Sequence, residues 1–337
     1  MKKSTRVIFV VSLLVVIALA MTACGAGEQG PAGPAGPAGP AGPEGPAGPA
    51  GADGAMAELS CSECHNDTAV ITAKEEAWAG SAHGSGTAAA YAGGRSGCAA
   101  CHSGATFSKM VAAGQTPDTY DGDMSEVTHQ DCRTCHQVHT TYTGEDWALE
   151  TTDAVSLSAV GETFDGGKGN LCANCHQPRS LVGEADADGN IEVTSTHWGP
   201  HHGPQAAYLM GLAGAGVEGK AASHYSMVED TCVSCHLASH AFEPSLAACQ
   251  ACHDGIEEFD FSGLQADTQA KLDELKELLV GAGLLDEEGE PVVGVYPAAQ
   301  AQALWNYIFI AFEDKSLGVH NPAFTRDLLE ASLAAFE

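Results

Sequence analysis

Positive charge is scarce in this sequence: 14 Lys and Arg stand against 44 Asp and Glu, a formal net charge of −30 over 337 residues. Phosphate backbones need a basic surface, so this balance argues against a nucleic-acid partner. The acidic excess fits a self-repelling surface protein that its charge keeps soluble, with basic partners or metal cations nearby as the other reading. Aromatic residues are few as well, at 6%, while Gly reaches 40 residues. That is lean material for a conventional core, and something other than side chains is expected to fill the interior.

Cysteine is the exception, with 13 residues. Twelve of them fall in six C-x-x-C-H motifs and only Cys24 is left over. An even cysteine set in an exported chain would ordinarily suggest disulfides. A disulfide framework has no reason to place His directly after every second cysteine, and zinc sites or thiol exchange do not demand it either. C-x-x-C-H puts two thiols one helical turn apart, matched to the two vinyl groups of a haem, and the adjacent His supplies the proximal iron ligand. The sites are Cys61/Cys64/His65, Cys98/Cys101/His102, Cys132/Cys135/His136, Cys172/Cys175/His176, Cys232/Cys235/His236 and Cys249/Cys252/His253. Six haem c groups are therefore expected, and these macrocycles would be the core that the side chains do not provide. Only 17 residues separate Cys232 from Cys249, so the last two haems should lie close together.

The beginning of the chain reads as an export signal. Lys2, Lys3 and Arg6 precede an apolar run from Val7 to Ala20, and Met21-Thr22-Ala23-Cys24 follows. This resembles a bacterial lipoprotein signal over 1–23, with Met21 where such signals usually carry Leu and with Cys24 as the lipidated residue. An uncleaved membrane anchor is the other reading, and both leave the remainder outside the cytoplasm. Residues 24–58 then carry Gly at every third position from Gly27 to Gly54, mostly followed by Pro. That is the collagen pattern, in which only Gly fits at the crowded axis of three wound strands. A trimeric stalk and a single-chain polyproline spacer both remain open, and either extends on the order of 90 Å.

Residues 59–262 hold all six motifs among short Gly- and Ser-rich connectors, with short helices and few strands expected. Residues 263–337 differ: Ala270 to Val280, Ala298 to Phe312 and Pro322 to Phe336 show helical spacing of apolar residues. Asn321 is a candidate N-cap with Pro322 at the first helical position. This region is expected to pack on the haem domain or to make an oligomer contact.

Fifteen histidines less the six in motifs leave nine: His83, His129, His139, His197, His201, His202, His224, His240 and His320. Most are expected to close the sixth positions of low-spin, low-potential haems. His83, His129, His139, His202, His224, His240 and His320 are the distal candidates. His129 and His139 sit too close to the third motif to reach round to its own haem and are assigned to neighbours. His201 and His202 are expected to divide into one ligand and one hydrogen-bond partner, and His197 is the expected non-ligand. Met56, Met110, Met124, Met210 and Met227 remain as alternative ligands that the count does not require.

The repeated C-x-x-C-H, the segment His-Trp-Gly-Pro-His-His-Gly-Pro-Gln at 197–205 and Ser-Leu-Gly-Val-His-Asn-Pro at 316–322 resemble multihaem c-type cytochromes. The relatives concerned are the pentahaem nitrite reductases and the extracellular hexahaem cytochromes of metal-reducing bacteria. The resemblance implies a mainly α fold with much irregular structure, built compactly around stacked haems, plus C-terminal helices. It also implies mostly bis-His ligation and a role in respiratory or extracellular electron transfer, with some members forming filaments. Nitrite reductases of that group usually carry C-x-x-C-K at the catalytic haem. All six motifs here end in His, which weighs against nitrite chemistry. One further pattern, Asp186-Ala-Asp188-Gly189-Asn190 with Glu192 beyond, offers alternating oxygens suited to Ca2+, or a plain Asp-Gly hairpin turn.

Three function classes follow. The first is a surface-anchored electron conduit of anaerobic respiration, held to a membrane through Cys24 and meeting redox proteins or an extracellular acceptor. The second is a reductase of a small oxyanion or nitrogen compound, which needs one open haem. The third is a subunit of a cytochrome polymer. A homotrimer through the stalk is compatible with the first two.

Overall fold

Apolar spacing is clearest after residue 263, and there the chain builds its largest core. The computed structural model describes residue 65 and residues 68–201, 203–237 and 240–337. The export signal, Cys24, the collagen-like stretch, Cys61, Cys64 and His202 lie outside the described residues.

The motif-bearing segment runs through short helices. They are α1 (Ala69–Gly80), α2 (Ala82–Ser85), α3 (Ala88–Ala92), α4 (Ala99–His102), α5 (Gly104–Ala112) and α6 (Cys132–Cys135). Strands β1 (Val155–Leu157) and β2 (Glu162–Phe164) pair antiparallel, followed by α7 (Gly169–Ala173) and β3 (Asn190–Val193). Next come α8 (Gln205–Leu209), α9 (Ser223–Met227), α10 (Cys232–His236) and α11 (Leu246–Gln250). The C-terminal part holds α12 (Leu264–Gly281), β4 (Gly294–Pro297), α13 (Ala298–Ile308), a π-helical turn Phe309–Asp314 and α14 (Pro322–Ala334). No helix among the described residues is long and apolar enough to cross a membrane.

Helix α12 begins six residues before the span its periodicity predicts and buries Thr268, Leu272, Leu275 and Leu279 along one stripe. Helix α14 turns Phe324, Thr325, Leu328, Leu329 and Ser332 inward, and Asn321 caps it by accepting from the Phe324 N–H at 3.2 Å. Between them α13 is buried over most of its surface, including Leu304, Trp305, Asn306 and Tyr307. Its polar groups are satisfied: Trp305 Nε1 donates to the Ala213 carbonyl at 2.9 Å, and Asn306 exchanges bonds with Ala215 at 2.8 and 3.0 Å. Each buried Leu or Phe here stabilises the fold by about 1.5–3 kcal/mol.

This core is not confined to the tail. Ile191, Val193 and Tyr208 from the motif-bearing segment belong to it, and β3 pairs antiparallel with β4, Asn190 opposite Pro297. All described residues belong to one compact unit. The Asp186 turn does reverse the chain, Asp186 Oδ1 accepting from the Asp188 and Asn190 N–H groups at 2.9 and 2.8 Å. It is not a hairpin, however, because β3 finds its partner about a hundred residues later in β4. No group of three or more His, Cys, Asp or Glu among the described residues is arranged to hold a metal ion, so the Ca2+ expectation gains no support there.

Candidate haem-binding sites

Each described motif folds as the single turn its chemistry requires. The motif His N–H donates to the carbonyl of the first cysteine, at 3.0 Å for His102 and 2.9 Å for His136, His176 and His253, while Cys232–His236 is helical throughout. The two thiols of a motif thereby share a face one turn apart. All ten described motif cysteines are free of disulfides.

Cys252 of the sixth motif and Cys132 of the third are exposed, whereas the other described motif cysteines are half-buried. The reason is local. Helix α11 ends at Gln250, and Cys252 stands in the turn beyond it, its N–H donating to the Cys249 carbonyl at 3.2 Å. Cys132 opens α6 directly after the capping Asp131, with a single turn of helix to cover it. At both motifs one thiol therefore faces solvent while its mate is half-buried: Cys249 beside Cys252, and Cys135 beside Cys132. Attachment needs the spacing and the shared face, and these two motifs keep both at the edge of the unit.

The motif histidines meet other histidines drawn from far along the chain. His65 faces His139 with ring centres 6.0 Å apart, and His83 faces His176 at 6.2 Å. His102 faces His201 at 6.1 Å, His224 faces His253 at 6.2 Å, and His236 faces His320 at 6.1 Å. Imidazole nitrogens bind first-row metal ions at about 2 Å, and the ring centre lies roughly 1.2 Å behind the nitrogen, so two rings across one ion stand about 6.4 Å apart. The five pairs, at 6.0–6.2 Å, come within a few tenths of an ångström of that separation. Two protein ligands per site, with no third among the described residues, fit a metal whose remaining positions are filled by a macrocycle.

The ring nitrogens are oriented accordingly. Nδ1 of His136 contacts the Trp147 carbonyl at 2.7 Å, Nδ1 of His176 contacts Gln205 Oε1 at 3.0 Å, and Nδ1 of His224 contacts the Val319 carbonyl at 2.7 Å. His236 Nδ1 lies 3.2 Å from the Phe242 carbonyl, and His320 Nδ1 lies 2.6 Å from Asp314 Oδ1. An acceptor on Nδ1 fixes the proton there and leaves Nε2 with its lone pair free for a metal. Burial, aided by the neighbouring His176, pushes His83 down to about 4. Burial likewise holds His176 and His236 below the usual histidine range, so these rings are neutral, as coordination requires.

The partners of the motif histidines ride on specific local structures. His83 lies in α2, whose cap Ser81 accepts from Gly84 N–H at 3.3 Å, and His224 lies in α9. His320 stands immediately before the Asn321 cap of α14. His139, His201 and His240 adopt left-handed backbone conformations, φ 66°, 74° and 60°. Such angles are uncommon outside glycine and persist where the surroundings over-determine them. For His139 the surroundings are the Asp146 carboxylate, which accepts from the N–H groups of His139, Thr141 and Tyr142 at 2.8, 2.6 and 3.1 Å. The same short turn supplies the Trp147 carbonyl to His136, so one turn serves the third motif and the partner of the first.

Two histidines behave differently. His136 meets Trp147 edge-on at 5.5 Å, and burial, aided by Lys74, lowers His240. His129 is half-buried and His197 exposed; neither faces a motif histidine among the ring contacts described. Of the adjacent pair His201 and His202, His201 is the one described, and its ring meets His102 of the second motif. Among the alternative ligands Met110 is fully buried in an apolar cluster and Met227 is 81% exposed.

The motifs also touch one another. Cys101 Sγ of the second motif lies 3.9 Å from the carbonyl of Asn174 inside the fourth, and α10 of the fifth motif packs on α7, which carries Cys172 of the fourth, with Cys232 Sγ 4.0 Å from the Gly169 carbonyl. Cys135 of the third packs with Cys175 on the cluster of Ala100, Phe107, Met110 and Leu171. Helix α10 of the fifth motif packs on α11 of the sixth. The fourth motif therefore meets three others, and Gly203 is shaped to its His: φ is 97° and an added Cβ would stand 3.1 Å from His176 Nδ1.

No protein-family model and no curated protein matches this chain. Among solved structures, an undecahaem cytochrome from the S-layer of Carboxydothermus ferrireducens is 18% identical with a TM-score of 0.45, covering 71% of this chain and 37% of that one. The outer cell wall cytochrome OcwA is 20% identical with a TM-score of 0.50, covering 78% of this chain and 50% of that one. The chain spans half or less of the length of these structures, and over most of its own length it shares the mainly helical fold of the outer cell wall cytochrome.

Proposed function

We propose that this chain is an exported electron-transfer protein carrying six covalently attached haems, five of them between the facing pairs His65/His139, His102/His201, His176/His83, His236/His320 and His253/His224. The observation that carries the reading is the common 6.0–6.2 Å separation of those pairs, each joining a C-x-x-C-H histidine to a ring from a distant segment. When bound, haem supplies reversible one-electron transfer at iron.

The chain's own residues hold His83, His176 and His236 neutral, place acceptors on Nδ1 of His136, His176, His224, His236 and His320, and keep the motifs in contact. The contacts run in the series first, third, fourth, fifth and sixth, with the second on the fourth, as a continuous conduit needs. The exposed thiols Cys132 and Cys252 would put the haem edges of the third and sixth motifs within reach of a redox partner. The export signal, Cys24 as the lipidated residue and the collagen-like spacer would set this unit off a membrane surface, where redox proteins or an extracellular acceptor meet it. The fold likeness to a cell-wall cytochrome supports the same setting.

A second reading rests on the third motif, where the ring contact described for His136 is the Trp147 edge. An open position there would suit reduction of a small oxyanion or nitrogen compound, with His240 as a proton donor. Carbon monoxide separates the two. The dithionite-reduced, haem-loaded protein binds none if all six haems are six-coordinate, and binds one equivalent if the third motif is open. Binding at several haems would sink both readings.

A further inference from the structure

The described Nδ1 contacts of His136, His176, His224 and His236 end on neutral oxygens, whereas that of His320 ends on a carboxylate. Asp314 Oδ1 lies 2.6 Å from His320 Nδ1, and the Asp314 side chain is 0% exposed. Burying a carboxylate is costly unless it is paired and hydrogen-bonded, and this one is both. Its second oxygen accepts from the Ser316 backbone N–H at 3.2 Å and from the Ser316 hydroxyl. Ser316 Oγ in turn accepts from the His320 N–H at 3.2 Å.

A π-helical turn at Phe309–Asp314 delivers this carboxylate, and Lys315 closes it in the left-handed region at φ 61°. π turns are rare and cluster where a side chain must be re-aimed. The same turn is tied to the neighbouring site, since Gln205 Nε2 donates to the Glu313 carbonyl at 2.9 Å while Gln205 Oε1 holds His176 Nδ1.

We infer that Asp314 is a tuning residue that lowers the reduction potential of the haem held by His236 and His320, relative to haems whose axial histidines rest on neutral carbonyls. This rests on the axial pairing proposed above. The physical reason is direct. Oxidised iron carries one more positive charge than reduced iron, and a buried carboxylate one imidazole away stabilises the oxidised form preferentially. The hydrogen bond also makes His320 a more basic ligand. Ser316 moderates the effect by drawing on the second oxygen.

The test compares three variants of the haem-loaded protein by spectroelectrochemical titration and electron paramagnetic resonance. Asp314→Asn keeps an acceptor on Nδ1 but removes the charge, and one haem equivalent is expected to move to more positive potential with the others unmoved. Ser316→Ala leaves the carboxylate less engaged, and the same equivalent is expected to move the opposite way. If Asp314→Asn fails to accumulate, the Ser316→Ala shift decides alone. His320→Ala serves as the reference, expected to turn one low-spin haem high-spin. Unchanged potentials in Asp314→Asn and Ser316→Ala, with His320→Ala giving its high-spin signal, overturn the tuning role alone. A fully low-spin His320→Ala protein overturns the axial pairing beneath it.

Discussion

Helix α12 buries Leu272, Leu275 and Leu279 at helical spacing, whereas α10, which carries the fifth motif, buries none of its five residues. The contrast holds across the molecule. The C-terminal segment owns Tyr307, Phe309, Phe324 and a run of leucines in the largest core. The motif-bearing segment has two smaller clusters, rich in alanine, around Phe164 and around Phe107 and Met110. One part of the chain is shaped to pack on itself. The other is a set of short turns aimed at groups that are not side chains, and its histidine pairs mark where those groups belong. The tail nonetheless serves the first part through β4, the π turn and His320.

The largest effect should follow from breaking the motif at the junction. Replacing Cys172 and Cys175 together by Ala should remove one haem and, because that motif meets three others, leave residues 68–260 open to limited proteolysis. Loss of a single haem with unchanged protease resistance would contradict the idea that haems substitute for a side-chain core. A core truncation in the tail should act in the opposite manner. Leu275→Ala should cost about 2–5 kcal/mol in denaturant unfolding while the haem count by pyridine haemochrome stays the same.

What could be read from the sequence divides along the same line. The C-terminal helices were legible because leucines at helical spacing and the Asn321-Pro322 start encode them locally. The motifs were legible for the same reason, since one turn fixes two thiols and a histidine. Their burial was not, because the exposure of Cys132 and Cys252 depends on what the rest of the chain lays over each turn. The pairing of β3 with β4 was hidden too, because Asn190–Val193 and Gly294–Pro297 carry no mutual signal until the core brings them together. Nor was the partner of each motif histidine visible, since it depends on loops with left-handed residues. His139 follows the third motif by three residues yet faces the first, and His201 faces the second across about a hundred residues. The Asp314 contact with His320 was equally hidden, since nothing in the sequence distinguishes that carboxylate from the other acidic residues.

Smaller effects sharpen the contrast within the motif-bearing part. Asp146→Ala removes the acceptor that holds three loop N–H groups, so His139 should leave its position and one low-spin haem should become high-spin at little cost to global stability. Gly203→Ala places a Cβ against His176 at positive φ and should cost about 1 kcal/mol in thermal unfolding, with a perturbed spectrum at one haem. Both variants should leave the tail's core untouched, which hydrogen exchange in α13 and α14 would register.

The most direct measurement is the electron paramagnetic resonance spectrum of the oxidised, haem-loaded protein, integrated against the haem content. At least five of the six haems are expected to be low-spin. The near-perpendicular pairs His83/His176, His102/His201 and His224/His253 should give more anisotropic signals than the near-parallel His65/His139. Two or more high-spin equivalents would contradict the claim that the facing histidines are axial pairs.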